Sequence, residues 1–179
     1  MNKDRWKLTT KDIALIGIMV ALIEACKIAI AWIPNVELTS FWLIMFTLYF
    51  GWKVIYVVPV FIILEGFVYG INLWWIMYLY AWPILCILTA LLRKIESSWN
   101  LAILSGVFGL SFGLMCSIPY VLIGSLDGGV KNGIHAGFTW WVAGIPWDIV
   151  HGISNFLIML VLYRPIKEVL KKVKMHGEI

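Results

Sequence analysis

The chain has 179 residues, of which 62% are hydrophobic and only 13% charged, with a mean hydropathy of +0.92. A water-soluble domain of this size is about half apolar and about a quarter charged, and it could not hide so much apolar surface, so a soluble fold is excluded. The net charge of +4 and the pI near 9.0 would suit a nucleic-acid binder, but the positions of the charges argue against one.

The apolar residues fall into long runs, as spanning a hydrocarbon core about 30 Å thick requires. A first helix is predicted from Asp12 to Ile33, stopped by Pro34, and a second, shorter one from Leu38 to Phe50, ending at Gly51-Trp52-Lys53. The third covers 54–69 with Pro59 inside and Gly70 as its stop; the fourth covers 73–92 with Pro83 inside and ends in Arg93-Lys94. The fifth, glycine-rich, covers 100–123, followed by a predicted loop from Gly124 to Ala143. The sixth starts at Pro146, a favoured first-turn residue, and covers 146–163. A basic amphipathic tail occupies 164–179. Prolines inside such helices are tolerated because neighbouring helices satisfy the freed backbone groups. The expected fold class is an all-α integral membrane protein, a single domain over 1–179 formed by a six-helix transmembrane bundle.

Orientation follows from lysine and arginine, which concentrate on the cytoplasmic side of membrane proteins. With both termini inside, the inner segments hold Lys3, Arg5, Lys7, Lys11, Lys53, Arg93, Lys94, Arg164, Lys167, Lys171, Lys172 and Lys174, whereas the outer loops hold only Lys131. Twelve against one accounts for the basic surplus as topology, with no need for nucleic acid. The first run is full length and lacks a small-residue cleavage site, so no signal peptide is expected.

Ionisable side chains inside a bilayer cost roughly 2.5–3.5 kcal/mol each on insertion scales unless paired or wet, and are read first as functional. Here they gather at middle and outer depth: Glu24 and Lys27 in the first helix, Glu65 in the third, and Asp148, His151 and Asn155 on one face of the sixth, with Asn35, Glu37 and Asn72 in outer loops. Glu24 and Lys27, three apart, either neutralise one another or contact ligand. Asp148, His151 and Asn155 form either a binding face or a structural hydrogen-bond network. Trp32, Trp42, Tyr69, Trp74, Trp75, Tyr78, Tyr80, Trp82, Tyr120, Trp140, Trp141 and Trp147 lie at similar depth; single tryptophans suit an interfacial belt, but the set with polar groups between suits a ligand cavity opening outward. Three acids, Glu37, Glu65 and Asp148, among aromatic faces suit a neutral or cationic heterocycle.

Two ladders of small residues recur at four-residue spacing: Gly17, Ala21, Ala25 and Ala29 in the first helix, and Ser105, Gly109, Gly113 and Ser117 in the fifth. Such ladders let helices approach closely in lipid. The second reads as internal packing; the first suits internal packing or a face for another membrane subunit. Cys26, Cys86 and Cys116 read as buried apolar residues, and His135 and His176 do not build a metal site with Asp148-x-x-His151. No catalytic, Walker or dinucleotide motif is present, so neither an enzyme nor a cofactor is expected, and ATP-driven work would need partner ATPases.

Asn35-Val-Glu-Leu-Thr39, Phe50-Gly-Trp-Lys53, and Gly144-Ile-Pro-Trp-Asp-Ile-Val-His-Gly-Ile-Ser-Asn-Phe156 running to Arg164-Pro165, together with the alanine ladder, resemble the substrate-binding S components of energy-coupling factor (ECF) vitamin transporters. The resemblance covers almost the whole chain. It implies a multi-pass protein of a prokaryotic plasma membrane that captures a vitamin or related micronutrient outside. It further implies association with a membrane coupling subunit and two cytoplasmic ATPases, and toppling in the membrane to release substrate inside. Gly17, Ala21, Ala25 and Ala29 match the family's coupling face, though Glu24 and Lys27 beside it depart from the pattern. The family's pocket maps onto Glu37, Trp74, Trp75, Tyr78, Trp141, Trp147, Asp148, His151 and Asn155, without exact residue matches. The competing readings are a tryptophan-rich ligand-binding or sensory membrane protein without transport activity, which would have five spans, an intramembrane hydrolase using Asp148 and His151, and a purely structural subunit.

Overall fold

The computed structural model describes residues 8–94 and 97–177, and these are helical with no strand among them. The predicted inner residues Lys3, Arg5 and Lys7, and the last two residues of the predicted tail, lie outside the described residues, as does the side chain of His176.

Helix α1 (Thr10–Ala29) begins with a capping box. The Thr9 side chain accepts from the Asp12 backbone N–H at 3.2 Å, and the Asp12 carboxylate accepts the Thr9 N–H at 2.9 Å. Asp12 also meets Lys53 at 2.5 Å, tying the start of α1 to the turn between the next two helices. Leu15, Ile16, Met19, Val20 and Ile23, three and four apart, form its buried stripe. The helix closes four residues before the predicted Ile33. Pro34 disfavours helical geometry in the residue before it, and tight turns linking Ala31 to Ile28 and Ile33 to Ile30 fill the interval.

Helix α2 (Thr39–Phe50) is buried along almost its whole length, from Thr39 through Thr47 and again at Phe50. Apolar on every face, it sits in the middle of the bundle, and this explains how a helix of 12 residues is stable there. At Gly51, φ +59°, the chain turns through a short 3-10 segment (Gly51–Lys53) into α3 (Val54–Tyr69). Helix α4 (Leu73–Leu91) is capped by Asn72, whose side chain accepts from the Trp74 N–H at 3.1 Å. The chain continues through α5 (Ser98–Leu110), a break at Ser111, and α6 (Phe112–Gly177).

The predicted loop over 124–143 is a correction. It is helical except at Gly128 and Gly129, where φ −143° and then φ +80° break α6 into two legs. Contacts pairing Gly124 with Gly133, Val121 with Gly137, Gly113 with Asp148 and Gly109 with Gly152 show that the second leg runs back antiparallel to the first. The glycines that suggested a loop are instead the packing surface of this hairpin. A Cβ on Gly133 would come within 1.9 Å of Ser125 Oγ, and one on Gly137 within 2.2 Å of Val121 Cγ2. Only Gly129 needs glycine for its backbone angle. Pro146, the expected start of a helix, therefore lies inside one, and the basic tail continues it through Pro165 to Gly177.

Among the described residues, three stretches are long and apolar enough to cross a membrane: Thr39–Tyr69, Leu73–Leu91 and Ser98–Met175. Two of the three reverse direction, at Gly51 and at Gly128–Gly129. Topology then sorts the bundle into two ends. Lys53, Arg93 and Lys94 mark a basic end, while the turn after α1, the start of α2 and the end of α3 meet at the other.

Candidate functional site: a two-poled aromatic cavity

At the end opposite the basic residues lies a cavity of about 490 Å³. The turn after α1 forms one wall with Ala31, Ile33, Pro34, Asn35, Val36 and Glu37, and Thr39 opens α2 beside them. Asn35 takes φ +54°, a left-handed conformation that Asn tolerates better than most residues. The opposite wall is aromatic. Trp74 and Tyr78 meet edge to face at 5.1 Å, Tyr78 and Trp82 do the same at 5.1 Å, and Phe112 lies 5.6 Å from Trp82. One-turn spacing along α4 places Trp74, Tyr78 and Trp82 on one face.

Each pole of the cavity carries an acidic side chain held by a nitrogen-bearing one. At the first, Lys27 of α1 pairs with Glu65 of α3, and its ammonium sits 4.5 Å from the Tyr69 ring centre and 5.9 Å from that of Tyr78. Glu65 is fully buried, and its second oxygen, Oε1, has no hydrogen-bond partner. Glu24, one turn before Lys27 and also buried, lies against the Glu65 carboxyl, and its own Oε1 is likewise without a hydrogen-bond partner.

At the second pole, Glu37 accepts from His151 Nε2 at 3.2 Å, from Ser40 Oγ at 2.6 Å and from the Ser40 backbone N–H at 3.1 Å. Burial pushes the Glu37 carboxyl up, but the His151 imidazole, Ser40 and Thr39 outweigh that and hold it at about 2. The His151 ring stands edge-on to Phe112 at 4.8 Å, so the second pole is braced by the aromatic wall.

Of the eleven predicted binding residues, Glu37, Glu65, Trp74, Tyr78 and His151 line the cavity together. The other six sit elsewhere, each for a visible reason. Asn72 spends its side chain capping α4. Trp75 turns toward α3, donating to the Ile62 carbonyl at 2.7 Å. Asp148 accepts the Gly113 N–H at 2.9 Å and Asn155 donates to Ser40 Oγ at 3.2 Å, so both bind helix to helix. Trp141 packs near Phe138 on the hairpin, and Trp147 is 54% exposed.

The lining also includes Tyr69 and Trp82 of the outer aromatic set, Lys27, which was read as pairing with Glu24 or contacting ligand, and Phe112, which was not singled out. Lys27 carried a signal, since an ammonium inside an apolar helix demands a partner. The local candidate was Glu24, three residues away, but the partner is Glu65, 38 residues on.

A second cavity of about 540 Å³, near the basic end, is lined by Trp52, Pro59, Pro83 and Cys86, with Arg93 its only charged residue among the described residues. It lacks the converging polar groups that fix a ligand's orientation. The first cavity has such groups at both poles and aromatic faces between them, an arrangement that can hold and orient a flat polar molecule. Among the described residues, no group of three His, Cys, Asp or Glu side chains is placed to hold a metal ion. No protein family, characterised protein or solved structure matches the chain.

The two small-residue ladders separate in the fold. Gly109 and Gly113 face the second leg of α6, where an added Cβ would lie 2.9 Å from Gly152 Cα and 2.3 Å from Asp148 Oδ2. Gly17, Ala21, Ala25 and Ala29 are all exposed, and a Cβ on Gly17 would meet nothing within 4 Å.

Proposed function

We propose that this chain is the substrate-binding component of an ECF-type importer in a prokaryotic plasma membrane, crossing it six times with both termini inside. The observation that carries the reading is the cavity of about 490 Å³, aromatic on one wall and with paired polar side chains at both poles, at the end opposite the basic residues. With lysine and arginine on the cytoplasmic side, that cavity faces outward, where a micronutrient is captured. Glu37, Glu65, Trp74, Tyr78 and His151 hold the substrate, a vitamin-like aromatic or heterocyclic compound. Asp148 and Asn155 keep the helices that carry them in register.

The exposed ladder of Gly17, Ala21, Ala25 and Ala29 supports a docking face for a membrane coupling subunit, since small side chains let a partner helix approach closely in lipid. The chain has no nucleotide-binding motif, so energy would come from two partner ATPases.

The test is mass spectrometry of the compound retained by the purified full-length protein, followed by titration with that compound. A retained aromatic micronutrient whose binding is lost in Trp74→Ala and Tyr78→Ala, with folding intact, is expected. Retention of nothing, together with no binding from a panel of vitamins and nucleobases, would overturn the importer reading. A C-terminal tag accessible from outside the cell would equally overturn it and favour a five-span sensory protein.

A further inference from the structure

We infer that the cavity is built for an organic cation, whose positive charge seats against Glu65 and whose flat body lies along Tyr78 and Trp82. The inference rests on the importer reading for its ligand-binding role, and adds the chemical class of the ligand.

Charge balance is the first argument. The first pole holds two acidic side chains in contact, Glu24 and Glu65, against one ammonium, Lys27. That ammonium already meets one Glu65 oxygen and the ring faces of Tyr69 and Tyr78. Two carboxyl groups in contact do not both ionise beside a single ammonium, so a further positive charge against Glu65 is what would let the pair do so. At the second pole the single carboxylate, Glu37, already has His151 and Ser40 as partners, so the place for a further positive charge is the first.

Two buried polar atoms make the second argument, independent of net charge. Glu65 is 0% exposed, lines the cavity and has Oε1 unsatisfied. Trp82 is 1% exposed, lines the same cavity and has its Nε1–H unsatisfied. Native structures leave few such atoms without partners. A ligand that presents a positive or N–H edge to Glu65 and a lone pair to Trp82 satisfies both. The ring faces between them carry negative charge, which favours a cation over a neutral ring and disfavours an anion. An anion would find its only fixed cation, Lys27, already taken. A bare metal ion would leave the aromatic wall and most of the volume without a role.

The experiment is isothermal titration calorimetry of the full-length protein in detergent at pH 7.5 with three bicyclic probes of similar shape. These are 1-methylquinolinium (cation), 2-methylquinoline (neutral) and quinoline-2-carboxylate (anion). The expected result is a cation affinity at least tenfold above the neutral probe, with the anion weakest. Glu65→Gln, nearly isosteric, should remove that preference. Lys27→Gln should strengthen cation binding severalfold, because it removes the competing ammonium. Opposite signs in the two variants separate a charge role from a folding defect, which would weaken binding in both.

Equal or tighter binding of the neutral probe or the anion overturns the inference, as does a cation preference that survives Glu65→Gln. Binding of none of the three also overturns it. An anionic compound retained by the purified protein would do so too, while leaving the importer reading standing. Failure to retain or bind any micronutrient removes the importer reading itself.

Discussion

Replacing Glu37 with Gln removes one charge from the second pole while keeping the shape of the side chain. In the native protein this carboxyl is held at about 2, against an ordinary value of 4.5, because the His151 imidazole and the donors on Ser40 and Thr39 outweigh the upward push of burial. A difference of that size corresponds to about 3 kcal/mol of folding stability near neutral pH. The folded value is the lower one, so the contribution is present in full above about pH 4.5 and is lost as the pH falls toward 2. For a chain of this length, about 3 kcal/mol amounts to roughly 6–12 °C in unfolding temperature. The assay is thermal unfolding of wild type and Glu37→Gln in detergent at pH 7 and at pH 3. Wild type should be clearly more stable at pH 7, and the gap should narrow strongly at pH 3. Other acids titrate in the same range, so it is the difference between the two proteins that isolates Glu37. Equal unfolding temperatures at pH 7, or a gap that acid leaves unchanged, would refute the reasoning.

Other perturbations follow from the packing and the charges. Lys53→Met leaves Asp12 buried without its cation and should cost about 3 kcal/mol, whereas the double variant with Asp12→Asn should lose less than the sum of the singles, as a thermal double-mutant cycle would show. Gly109→Ala forces a methyl to within 2.9 Å of the facing backbone and should destabilise by about 1–3 kcal/mol. Gly17→Ala meets open space, and its removal of backbone freedom should leave stability unchanged or raise it by about 0.4–1 kcal/mol in the same unfolding assay. Ala21→Leu with Ala25→Leu should abolish uptake and co-purification with a coupling subunit while leaving ligand affinity within about twofold; equal loss of binding would show that the ladder packs internally.

Much of the secondary structure was legible because punctuation in the chain is strong. The predicted limits of α2, α3 and α4 agree with the structure to within one residue, since Gly51, Gly70 and Asn72 each interrupt an apolar run for a local reason: positive φ at the two glycines, a capping side chain at Asn72. The hairpin of α6 was not legible. A glycine that opens a turn and a glycine that admits a neighbouring helix are the same letter; Gly129 does the first, Gly133 and Gly137 the second. Only the presence of the opposing leg tells them apart.

The site divides along the same line. Composition and hydropathy by themselves determined an apolar helical chain with stretches able to cross a membrane, because burial of that much surface has few solutions. They also marked the ionisable residues inside apolar helices as costly, which singled out Glu65 and His151 before any coordinates. Which partner each would find was decided by the tertiary structure. Lys27 passes over Glu24, its neighbour on the helix, to pair with Glu65 on α3, and His151 reaches Glu37 across 114 positions of sequence. Helical spacing orders side chains along one face, but electrostatic pairing depends on which faces are brought together, and that is a property of the packed bundle.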